Sequence, residues 1–111
     1  MVVGKTKVMD IQYLENSSMK SLLAKISGDC DMYSAQEFYK GISAKIESGY
    51  HNLFLDFSDV IYLDSSGVGV IIKIIRQSKD KKINLKFRGI TGTPRKVLKM
   101  SNILNLITEE I

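Results

Sequence analysis

Leu63-Asp64-Ser65-Ser66-Gly67-Val68-Gly69 is the stretch on which the reading of this chain turns. It closes an apolar, strand-like run from Val60 to Leu63 and opens an isoleucine-rich segment that reads as a helix from about Ser66 to Lys79. The first N–H groups of a helix have no partner within it, and the helix dipole places positive potential there. Asp64 or Ser65 can cap that end by accepting one of those N–H groups. A serine hydroxyl at the helix entrance is also well placed to carry a phosphate, since the same groups favour an anion. Gly67 and Gly69 leave no side chains to block a molecule approaching this entrance. Each glycine costs a helix about 0.5–1 kcal/mol relative to alanine, so a close neighbour is expected to offset the cost. Without its surroundings, Asp-Ser-Ser-Gly also reads as an ordinary capped turn.

Working outward, Val68, Ile71, Ile72 and Ile75 form the expected core face of this helix. Val70 and Ile74 then fall roughly opposite, on the side of Gly67. They are expected either as an exposed apolar strip for a partner or as a seam against a neighbouring helix. Upstream, Leu53 to Phe57 reads as a short buried strand and Ser58-Asp59 as a turn. Earlier still, Lys7 to Leu14 and Lys20 to Ser27 read as a paired hairpin, with Leu22, Ala24 and Ile26 alternating on one face. Between them and the central strand, Ser34-Ala35-Gln36-Glu37 has the form of a capping box. Ala35, Phe38, Ile42 and Ile46 then stripe one side of a helix that Gly49 stops. Downstream, Ile83, Leu85 and Phe87 alternate with polar residues as a strand. Thr93 followed by Pro94 marks a last helix start, packed through Val97, Leu98, Ile103 and Leu104.

The order is β-β-α-β-α-β-α, an α/β domain with a mixed, mostly parallel sheet of about four to five strands. The Asp64 loop then lies at the carboxyl end of a strand, where open α/β sheets place their sites. The chain has 111 residues, which fits one domain over residues 1–111, and its single cysteine, Cys30, points to a reducing, cytoplasmic setting. Met1-Val2-Val3-Gly4-Lys5 does not read as a signal peptide, and no apolar run approaches a membrane span.

Formal net charge is +4, concentrated in the second half. Lys73, Arg76, Lys79, Lys81, Lys82, Lys86, Arg88, Arg95, Lys96 and Lys99 make ten basic residues against one acid, Asp80, in that span. Such a field could attract an acidic partner, a nucleic acid or an anionic membrane, or be simply a solvated surface. Phe87 is the one aromatic residue among these charges, fewer than the stacking platform of a single-strand binder, and neither a direct nucleic-acid nor a membrane partner is expected.

A second motif, Gly28-Asp29-Cys30-Asp31-Met32-Tyr33-Ser34-Ala35, accompanies the first. With both in place, the chain resembles the STAS-domain family, and within it the bacterial anti-sigma factor antagonists. The similarity runs from about Lys7 to Ile107 and includes the patterns G-(D/E)-x-D-x-Y-S-A and D-S-(S/T)-G-(L/V)-G. The resemblance implies a non-enzymatic partner switch. The unphosphorylated protein binds an anti-sigma factor that is also a serine kinase, and so releases a sigma factor. That kinase, using its ATP, phosphorylates the position matching Ser65, and a PP2C-type phosphatase reverses the step. Asp29 and Asp31 match acidic positions that help engage the kinase, and Ser66 matches the neighbouring residue that is usually not the acceptor. Asp64, Gly67 and Gly69 complete the implied interface.

An enzyme reading lacks parts. G-x-S-x-G is absent because Leu63 stands at its first glycine, and no G-x-x-x-x-G-K-(S/T) loop occurs. The lone histidine, His51, is expected at the opposite end from Ser65. No cofactor is expected, and one histidine with one cysteine is a poor metal set; Asp29, Asp31 and Asp64 are a weak alternative. The second functional reading is a STAS module in another signalling scaffold, or a relative of transporter-tail domains, without a sigma circuit.

Overall fold

Residues 9–110 are described by a computed structural model. The stretch Met1 to Lys5 and the expected strand start at Lys7 lie outside them. The hairpin forms as β1 (Met9–Asn16) and β2 (Ser21–Cys30), paired antiparallel. It is followed by α1 (Ala35–Ile46), β3 (Asn52–Leu63), α2 (Ser65–Asp80), β4 (Asn84–Arg88) and α3 (Gly92–Met100). The sheet order is β1-β2-β3-β4, with β2, β3 and β4 parallel. Both helical crossovers step the same way across the sheet, so right-handed connections put α1 and α2 on one face. There they pack on each other and bury Phe38, Ile42, Ile71 and Ile74 against Leu22, Ala24, Ile26, Leu55 and Phe57. The segment after α3 returns to the free edge of β4. Phe87 N–H donates to the Thr108 carbonyl and Glu110 N–H to the Phe87 carbonyl, each at 2.8 Å. This short bridge covers part of an otherwise open strand edge.

Three expectations change. Ser58-Asp59 is not a turn: β3 runs unbroken through it, and its twelve residues stand against ten of β2. Two register shifts, between Lys25 and Ser27 and between Gly28 and Asp29, absorb the extra residues as bulges. At the first, Asp56 Oδ1 accepts the Ser58 N–H at 2.9 Å, a turn-like bond made without leaving the sheet.

The phase of α2 also differs. Val70 and Ile74 are buried, at 5 % and 0 % exposure, so they are no exposed strip and cannot contact a partner. The helix lies against both the sheet and α1, which widens its buried arc to Gly67, Val68, Val70, Ile71, Ile74 and Ser78. Ile72 and Ile75 become its half-buried margins. The alternative of a seam against a neighbouring helix is the one realised.

Finally, α3 starts earlier, at Gly92, with Thr91 in the capping position and Pro94 buried in the first turn. Proline is tolerated there because first-turn N–H groups lack a helical acceptor anyway. No helix among the described residues is long and apolar enough to cross a membrane.

Candidate functional site

Parallel pairing brings the two sequence motifs together. Cys30 at the end of β2 is in register with Leu63 at the end of β3, so both following loops emerge side by side at the carboxyl edge of the sheet. The Asp64 N–H donates to the Cys30 carbonyl at 3.2 Å and ties them.

Asp64, not Ser65, caps α2. Its backbone is extended, and its carboxylate accepts the N–H groups of Ser66 at 2.9 Å and Gly67 at 3.3 Å. Ser65 is then the first helical residue. It is exposed, and its hydroxyl makes no hydrogen bond among the described residues. Ser66 is half-buried beside it.

The upstream loop is held by its own acid. The Asp31 carboxylate accepts from the N–H groups of Tyr33 at 2.9 Å and Ser34 at 3.1 Å. The buried Ser34 hydroxyl donates to the Asp29 carbonyl at 2.6 Å and accepts from the Asp31 N–H at 3.0 Å. It is therefore turned back into the loop and makes no capping bond to α1, so the expected capping box does not form. Asp31 acts first as a loop fastener. The Asp29 carboxylate makes no hydrogen bond among the described residues and is half-buried beside β3, where Asp29 pairs with Tyr62.

The two glycines differ. A methyl group at Gly67 would stand 2.4 Å from Leu63 Cδ1 and 2.8 Å from both the carbonyl oxygen and Sγ of Cys30. Its role is to let α2 sit directly on the end of β2, not to admit a partner. A methyl at Gly69 would meet nothing within 4 Å, so this position is the one left open to an incoming molecule. Cys30 is fully buried beneath the loops. Burial, with added repulsion from Asp64 and then Asp31, pushes its thiol up to about 12, and it stays neutral.

Sequence reasoning missed the apolar surface at this end. Met32 and Tyr33 are 67 % and 80 % exposed, and Ile61 and Tyr62 are exposed as well. The first pair stands between the Asp31 fastener and α1. The second pair follows from the β3 bulge, which puts two consecutive residues outside the core. A large apolar pair next to a polar loop was the available signal. His51 precedes β3 and so lies at its other end, as expected. Among the described residues no group of three His, Cys, Asp or Glu is arranged to hold a metal ion.

The family model of the STAS domain matches residues 10–111. The chain belongs to the STAS-domain family. Among curated relatives of this STAS domain is the anti-sigma-B factor antagonist of Staphylococcus epidermidis, 20 % identical over 83 residues, which are 75 % of this chain and 77 % of that protein. Among solved structures, the anti-sigma factor antagonist SpoIIAA in its unphosphorylated form is 20 % identical with a TM-score of 0.74, over 92 % of this chain and 89 % of that one. The Bacillus cell fate determinant SpoIIAA in the phosphorylated form is similar at a TM-score of 0.68 and 20 % identity, over 92 % of each chain. These likenesses establish the shared fold.

Proposed function

We propose that this STAS domain is an anti-sigma factor antagonist: a cytoplasmic, non-enzymatic module whose binding to a serine-kinase anti-sigma factor is controlled by phosphorylation of Ser65. The observation that carries the reading is the exposed Ser65 hydroxyl, without a partner among the described residues, at the entrance of α2 beside the Asp64 cap. The relatives named as anti-sigma factor antagonists support it, as does the structural neighbour titled as phosphorylated. Unmodified, the surface around Ser65 offers Gly69 for close approach and Met32, Tyr33, Ile61 and Tyr62 as apolar contacts. Asp29, Asp31 and Ser66 lie along the same edge. These contacts take the place of Val70 and Ile74.

The partner kinase transfers the γ-phosphoryl group of its ATP to Ser65 Oγ, the hydroxyl proton is lost and ADP leaves. The product carries about −1.5 to −2 charge. A partner must desolvate that charge to bind, an effect of several kcal/mol, so the complex opens without unfolding either protein. A PP2C-type phosphatase hydrolyses the phosphoester and restores binding.

The test is incubation with ATP and each serine-kinase anti-sigma factor of the source organism, followed by intact-mass measurement and peptide mapping. One phosphate on Ser65 is expected from one of them. Ser65→Ala should bind that kinase constitutively, and Ser65→Asp should lose at least about a hundredfold in affinity, equivalent to about 2.7 kcal/mol. No phosphorylation by any of them moves the assignment to a STAS scaffold or transporter-related module. Equal binding by Ser65→Asp and wild type refutes the electrostatic switch.

A further inference from the structure

The sheet has one clothed face and one bare face. The bridge of Phe87 to Glu109 is parallel, so the chain from β4 through α3 makes a third crossover in the same direction as the first two. Right-handedness puts α3 on the side of α1 and α2, and among the described residues no helix lies over the other side. Parallel strands are ordinarily covered on both faces.

Register fixes what the bare side presents, because residues opposite one another on paired strands share a face and neighbours alternate. With Leu22, Ala24, Leu55 and Phe57 inside, three rows point outward. From β1 to β4 they are Asn16-Ser21-Asn52-Asn84, Leu14-Leu23-Phe54-Lys86 and Gln12-Lys25-Asp56-Arg88. Leu14 is 69 % exposed, and Leu23 and Phe54 are half-buried beside it. Asp56 Oδ1 accepts both the N–H and the hydroxyl of Ser58, and its Oδ2 has no hydrogen bond among the described residues. Lys25 makes an exposed pair with Asp59 at 3.5 Å, a contact worth little in water.

The rows are complementary to themselves. A two-fold axis parallel to the strands, between β2 and β3, turns a second copy over so that its β4 faces β1 and its β3 faces β2 at the same level. Leu23 then meets the second copy's Phe54, Lys25 its Asp56 and Ser21 its Asn52, each contact occurring twice. At the margins Gln12 faces Arg88, and Leu14 lies under the aliphatic stem of Lys86. No like charges oppose each other in the three rows. A two-fold axis across the strands would instead lay Lys86 on Lys86, so the pattern selects the axis.

We propose that this bare face is where a second copy of the chain docks, sheet on sheet in the aligned manner. Four strands across and about six residues along give on the order of 400 Å² per copy. That is a small, transient class of interface, so the dimer is weak and concentration-dependent. Because α2 lies on the clothed side, pairing leaves Ser65 and Gly69 of both copies accessible. The inference therefore stands or falls independently of the proposed partner switch.

The experiment is sedimentation equilibrium of the full chain from about 10 μM to about 1 mM. Mass should rise with concentration from the 12.5 kDa of one chain toward twice that. Lys25→Asp sets two aspartates against each other across the axis, and Asp56→Lys sets two lysines, so each variant alone should stay monomeric. An equimolar mixture of the two places Asp against Lys at both contacts, and should associate again. Leu23→Glu, on the uncovered side and away from the bulge, should keep wild-type amide shifts outside the face and weaken association at least about tenfold. A wild-type chain that stays monomeric throughout overturns the proposal. So does association of Leu23→Glu or Lys25→Asp as strong as wild type, or a mixture of the two folded charge variants that stays monomeric. Should Asp56→Lys lose its fold with the Ser58 bond, Leu23→Glu and Lys25→Asp decide the matter by themselves.

Discussion

Replacing Gly67 and Gly69 by alanine, one at a time, separates what the fold demands at the helix entrance from what a partner demands. At Gly67 the new Cβ meets Leu63 Cδ1 at 2.4 Å, and the Cys30 carbonyl oxygen and Sγ at 2.8 Å each. The leucine can rotate away. The carbonyl cannot, because it is main chain and already holds the Asp64 N–H. The first turn of α2 must therefore lift from β2. Overpacking of this kind costs about 1–3 kcal/mol, and the better helix propensity of alanine returns about 1 kcal/mol. We expect a net loss of about 1–2 kcal/mol because backbone atoms are involved. With a urea m-value of about 2 kcal/mol/M, the midpoint falls by about 0.5–1 M. At Gly69 nothing lies within 4 Å and the backbone is not left-handed, so alanine should stabilise the fold by about 0.5–1 kcal/mol. Its methyl nevertheless stands on the surface assigned to the kinase, and affinity there should fall at least about tenfold. A Gly67→Ala protein as stable as wild type would refute the tight seat of α2 on β2. A Gly69→Ala protein with unchanged kinase binding would remove Gly69 from the interface.

Cys30 gives a pH signature. Its thiol is raised from the ordinary value of 9.0 to about 12, chiefly by burial. The folded state therefore keeps this proton where the unfolded chain has released it. That contribution is complete below about pH 9 and is lost as pH rises toward about 12, with a slope approaching about 1.4 kcal/mol per pH unit. Urea midpoints should fall more steeply in wild type than in Cys30→Ala over that window; parallel curves would contradict the burial argument. For the cap, Asp64→Ala removes the acceptor for two N–H groups and should cost about 0.5–2 kcal/mol. Asp64→Asn, which keeps an oxygen in place, should cost only a few tenths by the same urea assay.

Local chemistry made much of this molecule legible in the chain. The alternation of Leu22, Ala24 and Ile26 placed β2, the stripe Phe38-Ile42-Ile46 placed α1, and an acid before two serines and a glycine placed the α2 cap. What failed depends on contacts distant in sequence. Ser58-Asp59 has the composition of a turn, but pairing with β2 holds it in the sheet as a bulge. In α2 six apolar residues in nine positions from Val68 leave the helical phase open at the sequence level. The choice of Val70 and Ile74 as buried was made by α1 and the sheet together. Ser34 and Glu37 have capping-box spacing, yet Asp31 and the Asp29 carbonyl compete for the serine and win. Gly67 and Gly69 look alike in sequence; only the distance to Cys30 tells them apart.

The same competition for hydrogen bonds bears on how a phosphate on Ser65 would behave. In the first turn of α2, Ser66 and Gly67 donate to the Asp64 carboxylate, and Val68 donates to the Asp64 carbonyl. The helix entrance that a sequence suggests as an anion site is thus already occupied by the chain's own anion. A phosphate added at Ser65 has only the Ser65 N–H left at this end, unless it displaces the cap. It also faces the Asp64 charge, with Asp29 and Asp31 on the adjoining loop. Its charge therefore stays turned toward water, where it disturbs the fold little and obstructs a docking surface most. An empty helix terminus would have absorbed the phosphate and muted the signal. Asp64 keeps the modification outward, so one side chain serves both the stability of α2 and the strength of the proposed switch.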